Sequence, residues 1–251
     1  MIGKIEKYIK KQISNEGTIT FALLDSENIT MKQAINISKK AEDCGVSAIL
    51  IGGSTVIDQL DLDKMVSIIK KNIQIPVILF PGNVTGISPN ADAILFGSLL
   101  NSDNPYFITG AQSLGALAIY KYKLETIPMG YIIIGEGGTV GFVGRARGIP
   151  LNKPNLVVMY SLAAQYMGMR FLYLEAGSGV TSQISTNIIS AVKKIFKGTL
   201  IIGGGIKDVM NSVNIAKAGA DIIVFGSLLE TQEFQKKLKI IIENIKRAKD
   251  I

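Results

Sequence analysis

Glu175 is where chemistry could begin. It closes the apolar run Phe171-Leu172-Tyr173-Leu174 and is followed at once by Ala176-Gly177-Ser178-Gly179. The 251 residues include no histidine, which removes the commonest general base and the usual zinc ligand. Acid–base work therefore falls to Asp, Glu, Lys or Tyr, and a metal would be a hard ion held by oxygens. Glu175 reads either as a structural carboxylate paired with a Lys or Arg, or as a general base aimed at a substrate hydroxyl. The missing histidine favours the second. Glycines recur at Gly203-Gly204-Gly205 and at Gly226-Ser227. A single pair would be a tight turn. Three such groups, each just past an apolar run, suit a phosphate bound by backbone N–H groups that no Cβ obstructs. Asp25 and Ser54, past two other apolar runs, offer two oxygens. That suits magnesium shared with substrate phosphates and water, and equally suits helix N-caps or turns.

The elements that must position these residues are legible as eight short apolar runs, at 18–24, 47–51, 75–80, 91–96, 127–134, 170–174, 199–202 and 220–225. They are continuous rather than alternating, as strands buried on both faces are. Helical spacing lies between them: Ala34, Ile37, Ala41 and Cys44 share one face, as do Ile184, Ile188, Val192 and Ile195. Eight strands, each followed by a connection long enough for a helix, predict an α/β fold, a single (β/α)8 TIM barrel over residues 1–251 with phosphate-binding loops after strands 6, 7 and 8. A doubly wound sheet would need a glycine-rich turn after the first strand, where Asp25-Ser26-Glu27-Asn28 stands instead. The echo of 78–100 in 201–229, ending in a repeated Phe-Gly-Ser-Leu-Leu, suggests duplication of a half-barrel. In such a barrel the strand ends form the active-site face.

The net charge is +7, which suits anionic partners. The lysines are scattered, and the densest group, near the C-terminus, reads as a solvated helix face. Cys44 is the one cysteine, so no intrachain disulfide forms and a reducing compartment fits. The N-terminus is charged and helical rather than a signal peptide, and no apolar run reaches the ~18 residues of a spanning helix. A cytoplasmic protein is expected.

The pieces 173–179 (YLEAGSG), 203–206 (GGGI), 225–230 (FGSLLE), 79–83 (LFPGN) and the acidic loop after strand 1 together resemble the geranylgeranylglyceryl phosphate synthase family. YLEAGSG is the most specific of them. The resemblance implies a Mg²⁺-dependent prenyltransferase that joins sn-glycerol 1-phosphate to geranylgeranyl diphosphate, the first ether bond of archaeal membrane lipids. It implies that Tyr173, Leu174, Glu175, Ala176, Gly177, Ser178, Gly179, Gly204, Gly205, Gly226 and Ser227 hold the glycerol phosphate. Glu175 and Tyr173 would be catalytic, and Asp25 and Ser54 would hold magnesium. It implies a homo-oligomer without nucleic acid, in transient contact with a membrane surface at most. Relatives often carry a lysine in the loop after strand 1, which this chain lacks; Arg145, Arg147 or Lys153 are the candidates to replace it. The rival readings are a longer-chain prenylglyceryl phosphate synthase, a barrel acting as isomerase or lyase on a sugar phosphate, and a non-catalytic phosphate-binding scaffold.

A prenyl chain needs an apolar path. The segment 104–120 offers small residues, Ala111, Gly115 and Ala118 among them, with Tyr106, Phe107 and Tyr120 bulky enough to close the end. Ordinary helix-to-barrel packing also favours small residues. The glycine-rich stretch 135–148 is expected to be a mobile connection over the chain, a lid.

Overall fold

The computed structural model describes residues 2–26, 29–53, 58–179 and 183–248. Each of the eight apolar runs is a strand: β1 (Ile19–Asp25), β2 (Ala48–Gly53), β3 (Val77–Pro81), β4 (Ala93–Leu99), β5 (Glu125–Ile133), β6 (Phe171–Glu175), β7 (Thr199–Gly203) and β8 (Ile222–Phe225). All neighbours pair in parallel, and β8 returns to β1, with Ile19 opposite Ile222, so the sheet closes. The fold is a single TIM barrel.

Strand parity builds two apolar layers. Phe21, Leu50, Ile78, Leu95, Met129, Phe171 and Ile201 fill the lumen. Their neighbours Ala22, Ile49, Leu79, Ile94, Leu172 and Ile202 face the helices. Both faces are therefore buried, which is why the runs read as continuous.

The helices are α1 (Lys4–Glu16), α2 (Met31–Asp43), α3 (Gln59–Lys70), α4 (Ala111–Tyr122), α5 (Gly138–Val143), α6 (Pro154–Tyr166), α7 (Thr186–Ile195), α8 (Val209–Lys217) and α9 (Phe234–Arg247). Several start where side chains satisfy the free N–H groups of the first turn: Thr30 with Gln33 forms a capping box on α2, and Asp58, Ser185 and Asp208 cap α3, α7 and α8.

Two elements depart from a regular barrel. First, α1 lies across the N-terminal end and seals it, with Ile9 buried and Ile5, Tyr8 and Ile13 packed against the lumen layer. It has no cap of its own. The Glu125 carboxylate of β5 accepts from the N–H groups of Ile5 and Glu6, each at 2.8 Å. Second, the β3–β4 connection holds only one 3₁₀ turn, Val84–Gly86. The sequence predicts room for a helix there, and the structure forms none. The helical shell is thinned on that side. A π-helical turn at Tyr106–Gly110 leads into α4 next to the gap.

Candidate active site

The C-terminal ends of the strands surround a cavity of about 490 Å³. β6 carries the chemistry to it. Parity sends Phe171, Tyr173 and Glu175 inward and Leu172 and Leu174 outward, so the Leu174 side chain belongs to the helix layer. Its part in the expected phosphate set would therefore be through its backbone.

Glu175 is 6 % exposed. Its Oε1 accepts the Gly177 N–H at 2.6 Å, and its Oε2 accepts the Tyr131 hydroxyl at 3.5 Å. The Tyr173 hydroxyl bonds to the same carboxyl group. Among the described residues no Lys or Arg bonds to it. Burial therefore dominates and raises its pKa to about 7, although Gly177, Tyr173 and Tyr131 each favour the charged form. Burial beside this carboxylate in turn pushes both tyrosine hydroxyls well above their ordinary value.

The glycines make this closeness possible. A Cβ on Gly204, which has φ +90°, would run into the Glu175 carboxylate and lie 2.7 Å from the Gly177 nitrogen. Gly177, at φ +106°, packs on the backbone of Gly137 and Gly138. Only glycine permits both the left-handed backbone and the contact. The loops after β5, β6 and β7 thus meet around one carboxylate.

Tyr173, Glu175, Ser178, Gly204, Gly205, Gly226 and Ser227 all line the cavity, as does Asp25 at the end of β1. Ala176 is buried in the helix-facing layer and does not line the cavity. Gly177 reaches it through the bond to Glu175, and Gly179 stands beyond, with open space where a Cβ would be. Ser54 lies outside the described residues. Arg145, Arg147 and Lys153 do not line the cavity, and Arg145 pairs with Asp103 at 3.0 Å. Among the described residues no Lys or Arg lines it at all.

From the mouth the cavity continues as an apolar groove between α4 and the β3–β4 side, where the helical shell is thin. Phe107, Ala111 and Gly115 line it, joined by Ile87, Ile94 and Ile119. Ala118 stands off the groove, because the helical turn gives its place to Gly115 and Ile119. Tyr120 is 82 % exposed and closes nothing. Tyr106 donates its hydroxyl to Asn83 Oδ1 at 2.6 Å and packs edge-on to Phe107.

The expected loose loop over the chain contains α5 instead. Thr139, Val140, Val143 and Gly144 line the cavity from it. Buried Asn101 ties it down, donating to the carbonyls of Ile133 and Arg147 at 2.8 and 2.9 Å, while Ser102 donates to the Gly144 carbonyl at 2.6 Å. Composition alone suggests mobility here; the anchoring comes from the end of β4. Tyr131 is the residue sequence reasoning missed. The available signal was parity, since Tyr131 pairs in register with Tyr173 and shares the lumen face with Glu175.

Residues 11–245 match the PcrB family. The chain belongs to this family. One PcrB-family relative by sequence is the geranylgeranylglyceryl phosphate synthase of Nitrosopumilus maritimus, 50 % identical over 247 residues, covering 98 % of this chain and 99 % of that one. The (S)-3-O-geranylgeranylglyceryl phosphate synthase of Thermoplasma acidophilum, solved with its substrate sn-glycerol-1-phosphate, superposes with a TM-score of 0.93 at 37 % identity, over 98 % of this chain and 100 % of that one. The Thermoplasma volcanium enzyme gives 0.94 at 42 % identity, over 98 % of both chains. The resemblance first carried by YLEAGSG thus extends over nearly the whole PcrB-family barrel.

Proposed function

We propose that this PcrB-family barrel transfers the geranylgeranyl group of geranylgeranyl diphosphate to the 3-hydroxyl of sn-glycerol 1-phosphate and releases diphosphate. The observation that carries the reading is the single cavity that joins a glycine-built anion cup, a buried carboxylate of raised pKa and an apolar groove. A sugar-phosphate isomerase or lyase has no use for the groove.

The cup of Ser178, Gly204, Gly205, Gly226 and Ser227 holds the glycerol phosphate through backbone N–H groups. That anchor sets the 3-hydroxyl against Glu175. Glu175 takes the hydroxyl proton as the oxygen bonds to the allylic C1 and the bond from C1 to the diphosphate oxygen breaks. Its pKa of about 7 suits this task, because it is ionised for part of the population at neutral pH and strong enough as a base to keep the proton. Positioning supplies much of the acceleration. The groove shields a tail of ~20 carbons, each worth ~0.8 kcal/mol when buried.

The donors present fit magnesium. Among the described residues no three acidic or thiol side chains cluster into a cage, but Asp25 at the mouth, with diphosphate oxygens and water, matches the way Mg²⁺ is usually held. When bound there, the ion neutralises the leaving diphosphate. That matters more in a cavity that no Lys or Arg of the described residues lines. Asp25 would be its ligand, with Ser54 as the second.

A homo-oligomer is part of the proposal. The exposed apolar side chains Leu114, Leu117 and Tyr120 of α4 and Met159 and Tyr166 of α6 support it. Among the described residues no helix is long and apolar enough to cross a membrane. A cytoplasmic barrel that meets the membrane surface transiently, to collect and deliver prenyl chains, is the corresponding localisation.

The test is incubation with labelled sn-glycerol 1-phosphate, Mg²⁺ and prenyl diphosphates of graded length. Ether product with the geranylgeranyl donor supports the reading; preference for a longer donor would move it to the longer-chain alternative. Absence of any prenylated product would overturn it.

A further inference from the structure

Tyr131 stands in register with Tyr173, so on the lumen face its hydroxyl lies diagonally across from Glu175. Its ring is fixed on two sides. It meets Phe80 edge-on at 5.5 Å and Tyr173 edge-on at 5.2 Å, while Phe80 stacks on Tyr173 at 5.2 Å. The hydroxyl therefore cannot swing away without breaking an aromatic cluster. The two carboxylate oxygens of Glu175 are held differently. Oε1 is tied to the backbone of its own loop through Gly177, whereas Oε2 meets a side chain from the neighbouring strand.

We propose that Tyr131 is a positioning residue for the transfer reaction, its hydroxyl orienting Glu175 Oε2 and stabilising the carboxylate until the glycerol hydroxyl arrives. This rests on Glu175 being the base. The 3.5 Å separation is long for a hydrogen bond, as catalytic contacts often are before substrate binds. Among the described residues the groups that bond to Glu175 are Tyr131 from β5, Tyr173 from its own strand and the Gly177 N–H. Asp25 and Glu230 line the same cavity, and no basic side chain of the described residues does. Two hydroxyls and one amide thus do the stabilising that a cation does elsewhere. Each favours the charged form against burial. Losing one moves the carboxyl titration upward.

Tyr131→Phe keeps the ring and removes the hydroxyl. The acid limb of the kcat profile should move to higher pH. Turnover near pH 7 should fall about fivefold, because a rise of about one pKa unit lowers the ionised fraction from about one half to about one tenth, and recover toward the parent at high pH. The KM for sn-glycerol 1-phosphate should stay within about twofold, since the phosphate cup is untouched. Placing 3-fluorotyrosine at 131, with its more acidic hydroxyl, should move the limb the opposite way. Carbon-13 titration of Glu175 in the substrate-free protein should shift with the kinetics in both variants. An unmoved limb together with an unmoved Glu175 titration overturns the inference. A shifted titration alongside a fully active Glu175→Gln overturns the base assignment instead.

Discussion

The barrel buries a glutamate at each end, and the two are built in opposite ways. Glu6, on α1 at the sealed end, is 0 % exposed and bound by Arg170 through contacts of 2.7 to 3.0 Å and by Lys10 at 2.8 Å. Burial pushes its pKa up, but Arg170 and Lys10 outweigh burial, and the net shift is downward. Glu175, at the open end, has among the described residues an amide and two hydroxyls, and its pKa rises to about 7. One carboxylate is locked in its charge state by cations. The other is left free to change it. The same residue type is a structural rivet where it is paired and a reactive group where it is not.

Four experiments would break or sharpen this contrast. The largest effect is expected from Glu175→Gln, which keeps size but cannot accept the proton. Its kcat should fall by roughly 10²-fold or more, with sn-glycerol 1-phosphate binding retained by calorimetry. Near-parental turnover would remove the functional half of the comparison.

Arg170→Met tests the other half. It leaves Glu6 buried with Lys10 alone and should cost about 3 kcal/mol by denaturant unfolding. Activity of the folded fraction should not change. A neutral effect on stability would mean that the pair is not what holds α1 in place.

The third follows from linkage. The folded pKa of Glu175 is raised, so its proton favours the native state. That stability is complete below the ordinary value of 4.5 and is lost as pH rises through about 7. Relative to Glu175→Gln, the parent protein should lose up to about 3 kcal/mol across that window. Parallel stability curves for the two proteins would show that Glu175 titrates normally.

The smallest effect belongs to the groove. A Cβ at Gly115 already comes within 2.8 Å of Ile87 Cδ1, so Gly115→Leu must fill the path. The ratio of C20 to C10 donor use should drop by about tenfold, a pocket-blocking loss of roughly 1–2 kcal/mol. An unchanged length profile would show that the chain runs elsewhere.

What the sequence made legible follows local rules. The eight strands were readable because burial on both faces leaves unbroken apolar runs, and the glycine loops because backbone conformation and close approach restrict residue choice. What depended on parity or on distant partners was not. The outward Leu174 side chain and the inward Tyr131 have one cause: a strand's neighbours face opposite ways, and the register of the next strand decides who stands beside Glu175. The Glu6–Arg170 pair joins residues 164 positions apart, which no spacing reveals. The missing helix after β3 left a connection of permissive length, and length alone does not make a helix. The glycines of 135–148 suggested looseness because Asn101, the residue that ties the segment, belongs to a different part of the chain.

The closure of β8 on β1 has a consequence for how the chain is made. Thr18 donates its hydroxyl to the carbonyl of Ala220 across 202 positions, and Ile19 finds its partner only at Ile222. During synthesis the first strand emerges early and waits for the last one, carrying an unpaired edge and an apolar face that must be kept from other chains. Helix α1 waits too, since its cap Glu125 and its counter-ion Arg170 are made about halfway and two-thirds of the way along. Ring closure is therefore a late, non-local event of the kind that slows folding. A nascent chain stopped short of Ile222 would hold Tyr131, Tyr173 and Glu175 yet lack Gly226 and Ser227 of the cup and the seam that makes it a barrel.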